Sequence, residues 1–230
     1  MSLKDQTFVC VDCESTGLDP REDRIVEIAV ASFTLDTIID QFESLINPER
    51  PIPQEVIAIH HITDSMVQGK PRIDEVLPQV IKIIGDHPII GHGIRFDIDI
   101  ITNHARRCQI PCNIEKNKSF DTVRLARLYE KSPSNSLEQL RMHFGIDEEG
   151  AHRAMNDVLV NIQVFKKLSY GFDHIRALEQ RLAKPIQLKL MPLGKHKGRS
   201  MKELPLEYLL WAARQKFDQD LLYSLRTEIN

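Results

Sequence analysis

Two carboxylates stand two residues apart near the start of the chain, in the segment VDCES. Asp12 and Glu14 lie at the end of a run, Thr7–Cys13, whose alternation and valine and phenylalanine content predict a β-strand. Residues two apart on a strand share a face, so both carboxylates point the same way. Burying two carboxylates without a cation is costly, and Mg²⁺ or Mn²⁺ prefers oxygen ligands. The pair therefore indicates either a divalent-metal site or an exposed acidic strand end.

Three further side chains could join such a site. Asp97, in HGIRFDIDI, stands at the start of a predicted helix, Phe96–Cys108. His152 and Asp157, in AHRAMNDV, lie near the start of another, Ala151–Tyr170. A spacing of five separates them by about 140° on an ideal helix, so they share a site only if His152 lies in the loop or the first turn. Taken singly, Asp97 reads as a helix N-terminal acid and His152 as a surface or capping histidine.

The elements that must position these residues form a mixed pattern of strands and helices. Three strands in a meander come first, and strands then alternate with helices, which predicts an α/β fold with helices packed on a mixed sheet. The five predicted strands are Thr7–Cys13, Arg24–Phe33, Ile38–Ile46, Pro88–Gly91 and Ser119–Asp121. Leu35 to Thr37 is predicted as the hairpin turn of the meander. The carboxylates of the first strand would then lie at its carboxyl end.

Three motifs, VDCESTG, HGIRFD and HRAMNDV, occur in this order on the predicted elements. Together they resemble the motifs of the DEDDh 3'→5' exonucleases. That family has a ribonuclease H-like fold, and it includes the proofreading epsilon subunit of bacterial replicative DNA polymerase as well as stand-alone DNA and RNA trimming enzymes. The resemblance covers roughly Thr7 to Tyr170.

The resemblance implies roles for five residues. Asp12, Glu14, Asp97 and Asp157 would hold two Mg²⁺ or Mn²⁺ ions, and His152 would be the general base that takes a proton from the attacking water. Two metals stabilise the attacking and leaving oxygens of an in-line displacement at phosphorus. An imidazole with an ordinary pKa near 6.5 suits proton abstraction around neutral pH.

The resemblance also implies a set of substrate-binding residues, namely Thr16, Gly17, His61, Ile62, Thr63 and Phe96. Two positions depart from the family pattern. The usual His-Gly-Ile-Thr segment reads His60-His61-Ile62-Thr63 here, so its glycine is not cleanly aligned. Gly93 follows His92 where relatives often carry Asn, which affects a substrate hydrogen bond and leaves the chemistry intact.

Composition and charge exclude some classes of protein. Hydrophobic residues make up 42% of the 230, enough for one substantial core and a small appendage. No apolar run approaches the roughly 20 residues of a membrane helix, and the start of the chain lacks an apolar signal region, so we expect a cytoplasmic protein with no membrane partner. Cys10 and Cys13 would point to opposite faces of a strand, which favours reduced, buried thiols over a zinc site.

The C-terminal part differs in charge and composition. We predict an exonuclease domain over 1–182, a linker around Leu182–Gln187, and a small basic α+β domain over 188–230. From Pro185 onward there are eight Lys or Arg and five Asp or Glu, against 22 and 28 before it. This part resembles a small domain of unknown role that often follows such exonucleases in bacterial proteins.

Three features of this part have two readings each. The loop containing Lys195, His196, Lys197 and Arg199 could contact phosphates or be a solvated hairpin. Gln187–Met191 has the composition of a sliding-clamp-binding segment or of a plain strand. Four residues are predicted as the core of the small domain rather than as a surface that stacks on bases, namely Tyr208, Leu209, Leu210 and Trp211.

The sequence therefore predicts a metal-dependent 3'→5' exonuclease that binds single-stranded 3' ends and releases nucleoside 5'-monophosphates. The resemblance favours DNA as substrate, in replication proofreading or repair, with a DNA polymerase or a sliding clamp as further candidate partners. An RNA-trimming exonuclease with the same site is one alternative. A non-catalytic nucleic-acid-binding or polymerase-associated subunit is the other, and the presence of all five motif residues argues against it.

Overall fold

A computed structural model describes residues 2–129, 135–147 and 153–229. Its centre is a five-stranded sheet with the strand order β3-β2-β1-β4-β5. The strands are β1 (Phe8–Ser15), β2 (Ile25–Phe33), β3 (Ile38–Leu45), β4 (Ile89–Gly91) and β5 (Ser119–Asp121). All five predicted strands are present, with ends that differ by one or two residues at most.

The sheet is mixed, as the order of elements predicted. β1 pairs antiparallel with β2, and β2 with β3, which makes the meander. β4 pairs parallel with both β1 and β5. The carboxyl ends of β1, β4 and β5 therefore meet at one edge of the sheet, where α/β folds commonly bind ligands.

Helices cover both faces of the sheet. The described helices are α1 (Gln54–His60), α2 (Asp64–Val67), α3 (Ile73–Ile84), α4 (Arg95–Arg107), α5 (Thr122–Tyr129), α6 (Leu137–Phe144), α7 (Ala154–Ser169), α8 (Ile175–Leu182), α9 (Leu206–Ala212) and α10 (Gln219–Ile229). Among the described residues, no helix is both long and apolar enough to cross a membrane.

Alternation along β1 divides the core into two layers. Cys10 and Phe8 pack with residues of α7 on one face, while Cys13 and Val11 pack with residues of α3 and α4 on the other. This confirms that the two cysteines lie on opposite faces, and both are free thiols. The α7 face therefore also receives the remaining alternate residues of β1, which are the two carboxylates.

The C-terminal part has an apolar cluster of its own, built from α9, α10 and the segment before them. Among its described residues, β-structure is limited to a single antiparallel β-bridge between Leu190 and Ser200. Tyr208 and Leu209 are buried in the cluster, as predicted. The same prediction for Leu210 and Trp211 is wrong, because these side chains are 42% and 53% exposed. On so short a helix only one face can turn inward, and the other two residues are left on the outside.

A buried charge network attaches the C-terminal part to α5. Asp220 is fully buried and accepts hydrogen bonds from Arg124 and Arg127, all at 2.9 Å. Arg124 also donates to the backbone oxygens of Leu182 and Lys184 in the preceding segment. Breaking a buried pair leaves an unpaired charge, so this network fixes where α10 lies.

Candidate metal centre

The carboxylates meet where β1 and α7 run side by side. The amide of Asn161 on α7 donates to Cys10 Sγ at 3.7 Å, which fixes the register between the two elements. Asp12 and Glu14 follow Cys10 on the same face, and Asp157 lies one turn before Asn161. From Cys10 to Asp12 the strand advances about 6–7 Å, and from Asn161 back to Asp157 the helix covers about the same distance. Asp157 therefore lies level with the strand carboxylates.

Asp12, Glu14 and Asp157 form one acidic cluster. Each offers a carboxylate oxygen, and these oxygens lie within 4.8 Å of one another. All three side chains are half-buried. Like charges at this spacing oppose one another unless a proton or a cation intervenes. The cluster therefore has the donor atoms and the electrostatics of a divalent-metal site.

Asp97 comes to this region from the first turn of α4. It is buried, and its Oδ1 accepts a hydrogen bond from the backbone N–H of Cys13 at 2.9 Å. Cys13 stands between Asp12 and Glu14 on β1, so this bond ties the start of α4 to the strand that carries both. Asp97 is not a member of the set within 4.8 Å, but its charge acts on Asp12.

Burial and mutual repulsion change the acidity of these carboxyls. Burial, followed by the charges of Asp97, Glu14 and Asp157, raises the pKa of Asp12 well above its ordinary value. Burial and the Asp157 charge raise the pKa of Glu14 to about 7. Burial raises the pKa of Asp97 to about 8. Without a cation, the protein holds protons at neutral pH that ordinary carboxyls would release.

Glu27 is a further acidic residue at this site that the sequence analysis missed. It lies on β2 opposite Glu14 and is 1% exposed. Its Oε1 accepts from the Arg153 guanidinium at 2.7 Å, and its Oε2 accepts from the backbone N–H of Ala154 at 3.0 Å. It therefore anchors the first turn of α7, the turn that carries Asp157. The signal was the one acidic residue within the apolar strand RIVEIAVASF.

The start of α7 also bears on the predicted general base. The helix begins at Ala154 with Arg153 as its N-cap residue. The predicted helix started at Ala151. His152 lies outside the described residues, and its role stays a prediction.

Two of the predicted substrate-binding residues build the loop after β1. Thr16 is buried, and its hydroxyl donates to Asp23 Oδ1 at 2.9 Å and accepts from the Arg24 N–H at 3.0 Å. A Cβ on Gly17 would come within 2.5 Å of the Asp23 carboxylate. A side chain at Gly17 would thus displace the Asp23 carboxylate, and the hydroxyl of Thr16 is engaged inside this loop.

The segment His60-His61-Ile62-Thr63 lies at the end of α1 and the start of α2. His61 has a left-handed backbone (φ 60°), and its N–H donates to Ile57 O. This is a conformation that glycine favours over residues with a side chain. The positive φ thus falls on the second residue of the segment, the position at which the His-Gly-Ile-Thr pattern has its glycine.

The side chains of this segment point in different directions. His60 is buried with its Nδ1 accepting from the Ile62 N–H at 3.0 Å, and burial lowers the pKa of His60, so the ring is a neutral imidazole. Ile62 is fully buried in a small cluster with Val26. His61 is exposed, and the Thr63 hydroxyl bonds that of Ser65. The substrate contacts predicted for His61, Ile62 and Thr63 stay a prediction.

Phe96 and Gly93 flank the start of α4. Phe96 is half-buried against the apolar layer of α3 and α4. Gly93 has a φ of 77°, and its N–H donates to Asp121 Oδ1 at 3.0 Å. Glycine and asparagine are the residues that tolerate this backbone region best.

Family models match both parts of the chain. The exonuclease (RNase T) model matches residues 9–165. A second model, described as "Putative quorum-sensing-regulated virulence factor", matches residues 179–225. The first match covers the sheet apart from Phe8, and it includes every carboxylate of the cluster.

Curated relatives include bacterial polymerase subunits. The DNA polymerase III subunit epsilon of Aquifex aeolicus is 31% identical over 168 residues, which are 73% of this chain and 82% of the relative. That of Treponema pallidum is 33% identical over 162 residues, 69% of this chain and 74% of the relative. The DNA polymerase III PolC-type of Clostridium perfringens is 31% identical over 82% of this chain, which spans only 13% of that relative.

Solved structures share the fold. Exonuclease X in complex with 5' overhanging duplex DNA superposes with a TM-score of 0.61 at 23% identity, over 77% of this chain and 99% of that one. Escherichia coli exonuclease I in complex with a dA16 oligonucleotide gives 0.66 at 21% identity, over 76% and 43%. The family match, the epsilon relatives and the carboxylate cluster at the carboxyl end of β1 agree: this chain belongs to the exonuclease family.

Proposed function

We propose that this protein is a Mg²⁺- or Mn²⁺-dependent 3'→5' exonuclease that hydrolyses DNA from its 3' end. The observation that supports it most directly is the cluster of Asp12, Glu14 and Asp157, whose oxygens lie within 4.8 Å of one another. The epsilon relatives favour DNA as substrate, in replication proofreading or repair.

The residues of the cluster suit hard divalent cations. The donor atoms are carboxylate oxygens, with no thiol or described imidazole among them. The raised pKa values of Asp12 and Glu14 indicate that ionising these carboxyls is unfavourable when no cation is bound. Asp12, Glu14 and Asp157, with Asp97 beside them, would hold two ions, which would stabilise charge on the attacking and leaving oxygens.

The chain's own groups would do the rest. His152 takes the proton of the attacking water, and Glu27 keeps the turn that carries Asp157 in place. Thr16 and Gly17 shape the loop beside the cluster, and the segment from His60 to Thr63 lies next to that loop. These assignments for Thr16, Gly17, His61, Ile62, Thr63 and Phe96 remain part of the proposal.

A gel assay with 5'-labelled single-stranded DNA tests the proposal. Wild type is expected to give a ladder of 3'-shortened products that requires Mg²⁺ or Mn²⁺. Asp12→Ala should abolish the ladder, and His152→Ala should slow it by about 10²–10⁴-fold, the usual contribution of a general base. Asp99→Ala, two residues from Asp97 and paired with Arg95 on the surface, serves as control and should leave the rate unchanged.

Labelled RNA of the same sequence separates the two substrates. Faster shortening of RNA than of DNA would replace DNA by RNA in the proposal. No shortening of either strand by folded wild type, with both metals tried, would instead indicate a binding subunit.

The same proposal extends to organisation and partners. Residues 1–182 would be the exonuclease domain and 188–230 a separate small unit, in keeping with the separate apolar cluster of the latter. Association with a DNA polymerase follows from the epsilon relatives, and contact with a sliding clamp through Gln187–Met191 is a narrower form of it. A cytoplasmic location would follow from a role on chromosomal DNA.

A further inference from the structure

We infer that the C-terminal part binds single-stranded DNA on a surface formed by its basic loop and Trp211, separate from the carboxylate cluster. The basic loop is residues 192–200, which include Lys195, Lys197 and Arg199. The inference rests on the proposed function only for the choice of DNA as the bound strand.

The basic loop is a built structure with free positive charges. Backbone hydrogen bonds from Met191 to Arg199 and from Gly198 to Met191, both 2.8 Å, close it like a hairpin. Lys195, Lys197 and Arg199 are exposed. Within the described part of the chain, none of these three forms an ion pair with a carboxylate. A fixed loop with unneutralised cations favours a polyanion such as a phosphate backbone.

Aromatic rings continue the surface from the loop. Lys195 Nζ lies 5.2 Å from the centroid of the Tyr208 ring, and the His196 ring lies 4.4 Å from it. The Tyr208 and Trp211 rings are 5.5 Å apart. Tyr208 thus joins the loop to Trp211, whose indole is half exposed. Cations beside an exposed aromatic ring are the combination that single-stranded nucleic acids bind, phosphates on the first and bases on the second.

Leu206 and Leu210 extend the exposed face of α9 next to Trp211, at 58% and 42% exposure. An apolar face alone would fit a protein partner equally well. The adjacent cluster of cations makes a polyanion the better occupant, because a buried protein contact would have to desolvate these charges.

The charge of the C-terminal part is also directed outward. Two of its five acidic residues, Asp218 and Asp220, pair with Arg127 and Arg124 of α5. Their negative charge is therefore turned towards the exonuclease fold. Beyond these two, the C-terminal part has three acidic residues, Glu203, Glu207 and Glu228, against eight Lys or Arg.

The place where the C-terminal part attaches to the exonuclease fold suggests how this surface would act. α5 starts directly after β5, at the sheet edge that also holds the carboxylates of β1. The C-terminal part is attached to the first turns of α5. For a strand whose 3' end occupies the cluster, a second contact with the basic loop would raise the effective affinity for long substrates.

Trp211 is the only tryptophan of the chain, so it reports binding directly. The experiment titrates the full chain with single-stranded DNA in EDTA, which prevents cutting, and follows tryptophan fluorescence and the anisotropy of a labelled strand. Stacking of a base on the indole should quench the fluorescence. Trp211→Ala should weaken binding by about 5- to 150-fold, the range of one base–aromatic stack, while Trp211→Phe should retain most of the affinity.

The charge contribution is tested by the double variant Lys195→Ala/Lys197→Ala. It should weaken binding and reduce the slope of log affinity against log salt by about 1.4, for two phosphate contacts on a single strand. The control is Lys82→Ala/Lys116→Ala, which removes the same charge from exposed sites of the exonuclease fold. It should change neither the affinity nor the salt slope. The inference would be overturned if both double variants bound single-stranded DNA with the same affinity and salt dependence and DNA did not quench Trp211. Binding of a protein at this surface in place of DNA would overturn it as well.

Two more arms complete the design. Stronger quenching by single-stranded RNA than by DNA would overturn the choice of DNA. With metal present, the double variant should cut a very short oligonucleotide at the wild-type rate and a long strand more slowly. If no variant cuts at all, the proposed function fails while the binding result still stands.

Discussion

At the scale of the residue, the carboxylate cluster is held together against its own charge. Glu14 and Asp97 have pKa values raised to about 7 and about 8. In the unfolded chain both would ionise near pH 4. Between about pH 4 and 8 the metal-free folded state therefore binds more protons than the unfolded state, and its free energy of unfolding falls as the pH rises through this window.

This predicts a stability that depends on both pH and metal. In EDTA the melting temperature of wild type should fall between pH 5 and 8, and Asp97→Asn should flatten the fall because it removes a buried charge while keeping an acceptor for Cys13. Each kcal/mol recovered corresponds to about 2–4 °C. Mg²⁺ should raise the melting temperature of wild type at pH 8, and it should raise that of the variant less. Thermal melts measure this, and an Asp97→Asn protein melting below wild type at pH 8 in EDTA would contradict it.

His61 allows a second prediction at this scale. Its left-handed backbone costs a non-glycine residue about 1–2 kcal/mol, which exceeds the entropic cost of glycine. His61→Gly should therefore be neutral or stabilise the protein by up to about 1 kcal/mol in urea unfolding. Lys82→Gly, inside the right-handed helix α3, is the control and should cost about 1 kcal/mol. A similar loss of unfolding free energy in both variants would show that the backbone at His61 is not strained.

At the scale of the element, the site depends on two attachments of helices to the sheet. Asp97 ties the start of α4 to Cys13, and Glu27 ties the start of α7 to β2. The strands and the carboxylate motifs could be predicted from the sequence, since alternation along Thr7–Cys13 has a fixed geometric meaning. The role of Glu27 could not, because its partner lies 126 residues away and only the fold brings the two together.

We expect Glu27→Gln to show that this attachment positions Asp157. The amide keeps an acceptor for Ala154 but loses the ion pair with Arg153, which is 45% exposed and so has a screened contribution. The free energy of unfolding should fall by about 1–3 kcal/mol. Turnover should fall further than that loss alone explains, and more Mg²⁺ should partly restore it. Asp40→Asn on the exposed strand β3 is the control, and metal-independent activity loss in Glu27→Gln would argue against a positioning role.

At the scale of the whole molecule, the C-terminal part is joined to the exonuclease fold by one buried network of charges. Its helices were predictable from their apolar spacing. Which residues of α9 face outward was not, because Tyr208, Leu209, Leu210 and Trp211 are all apolar or aromatic and the sequence does not say which of them the small core accommodates. The pairing of Asp220 with Arg124 is likewise a property of the docked fold.

Asp220→Asn should loosen this attachment. Asparagine cannot neutralise two arginines that are largely buried, and breaking a buried ion pair costs about 3–5 kcal/mol. Trp211 fluorescence reports the C-terminal part, and far-ultraviolet circular dichroism reports the whole chain. The two urea transitions should coincide in wild type and separate in the variant, with fluorescence changing first.

Asp99→Asn breaks an exposed pair with Arg95 and is the matched control, with an expected cost below about 1 kcal/mol. Coincident transitions in Asp220→Asn would show that the two parts unfold as one even without the network.

The repulsion stored in the acidic cluster has an evolutionary consequence. Under the proposed mechanism, substitutions that neutralise one of these carboxylates would remove catalysis and at the same time relieve a destabilising charge, the usual trade-off between activity and stability. A duplicated gene could thus lose its nuclease activity in one step without losing the fold. Its product would still present the basic loop and Trp211, so this architecture gives rise easily to descendants that hold a strand without cutting it.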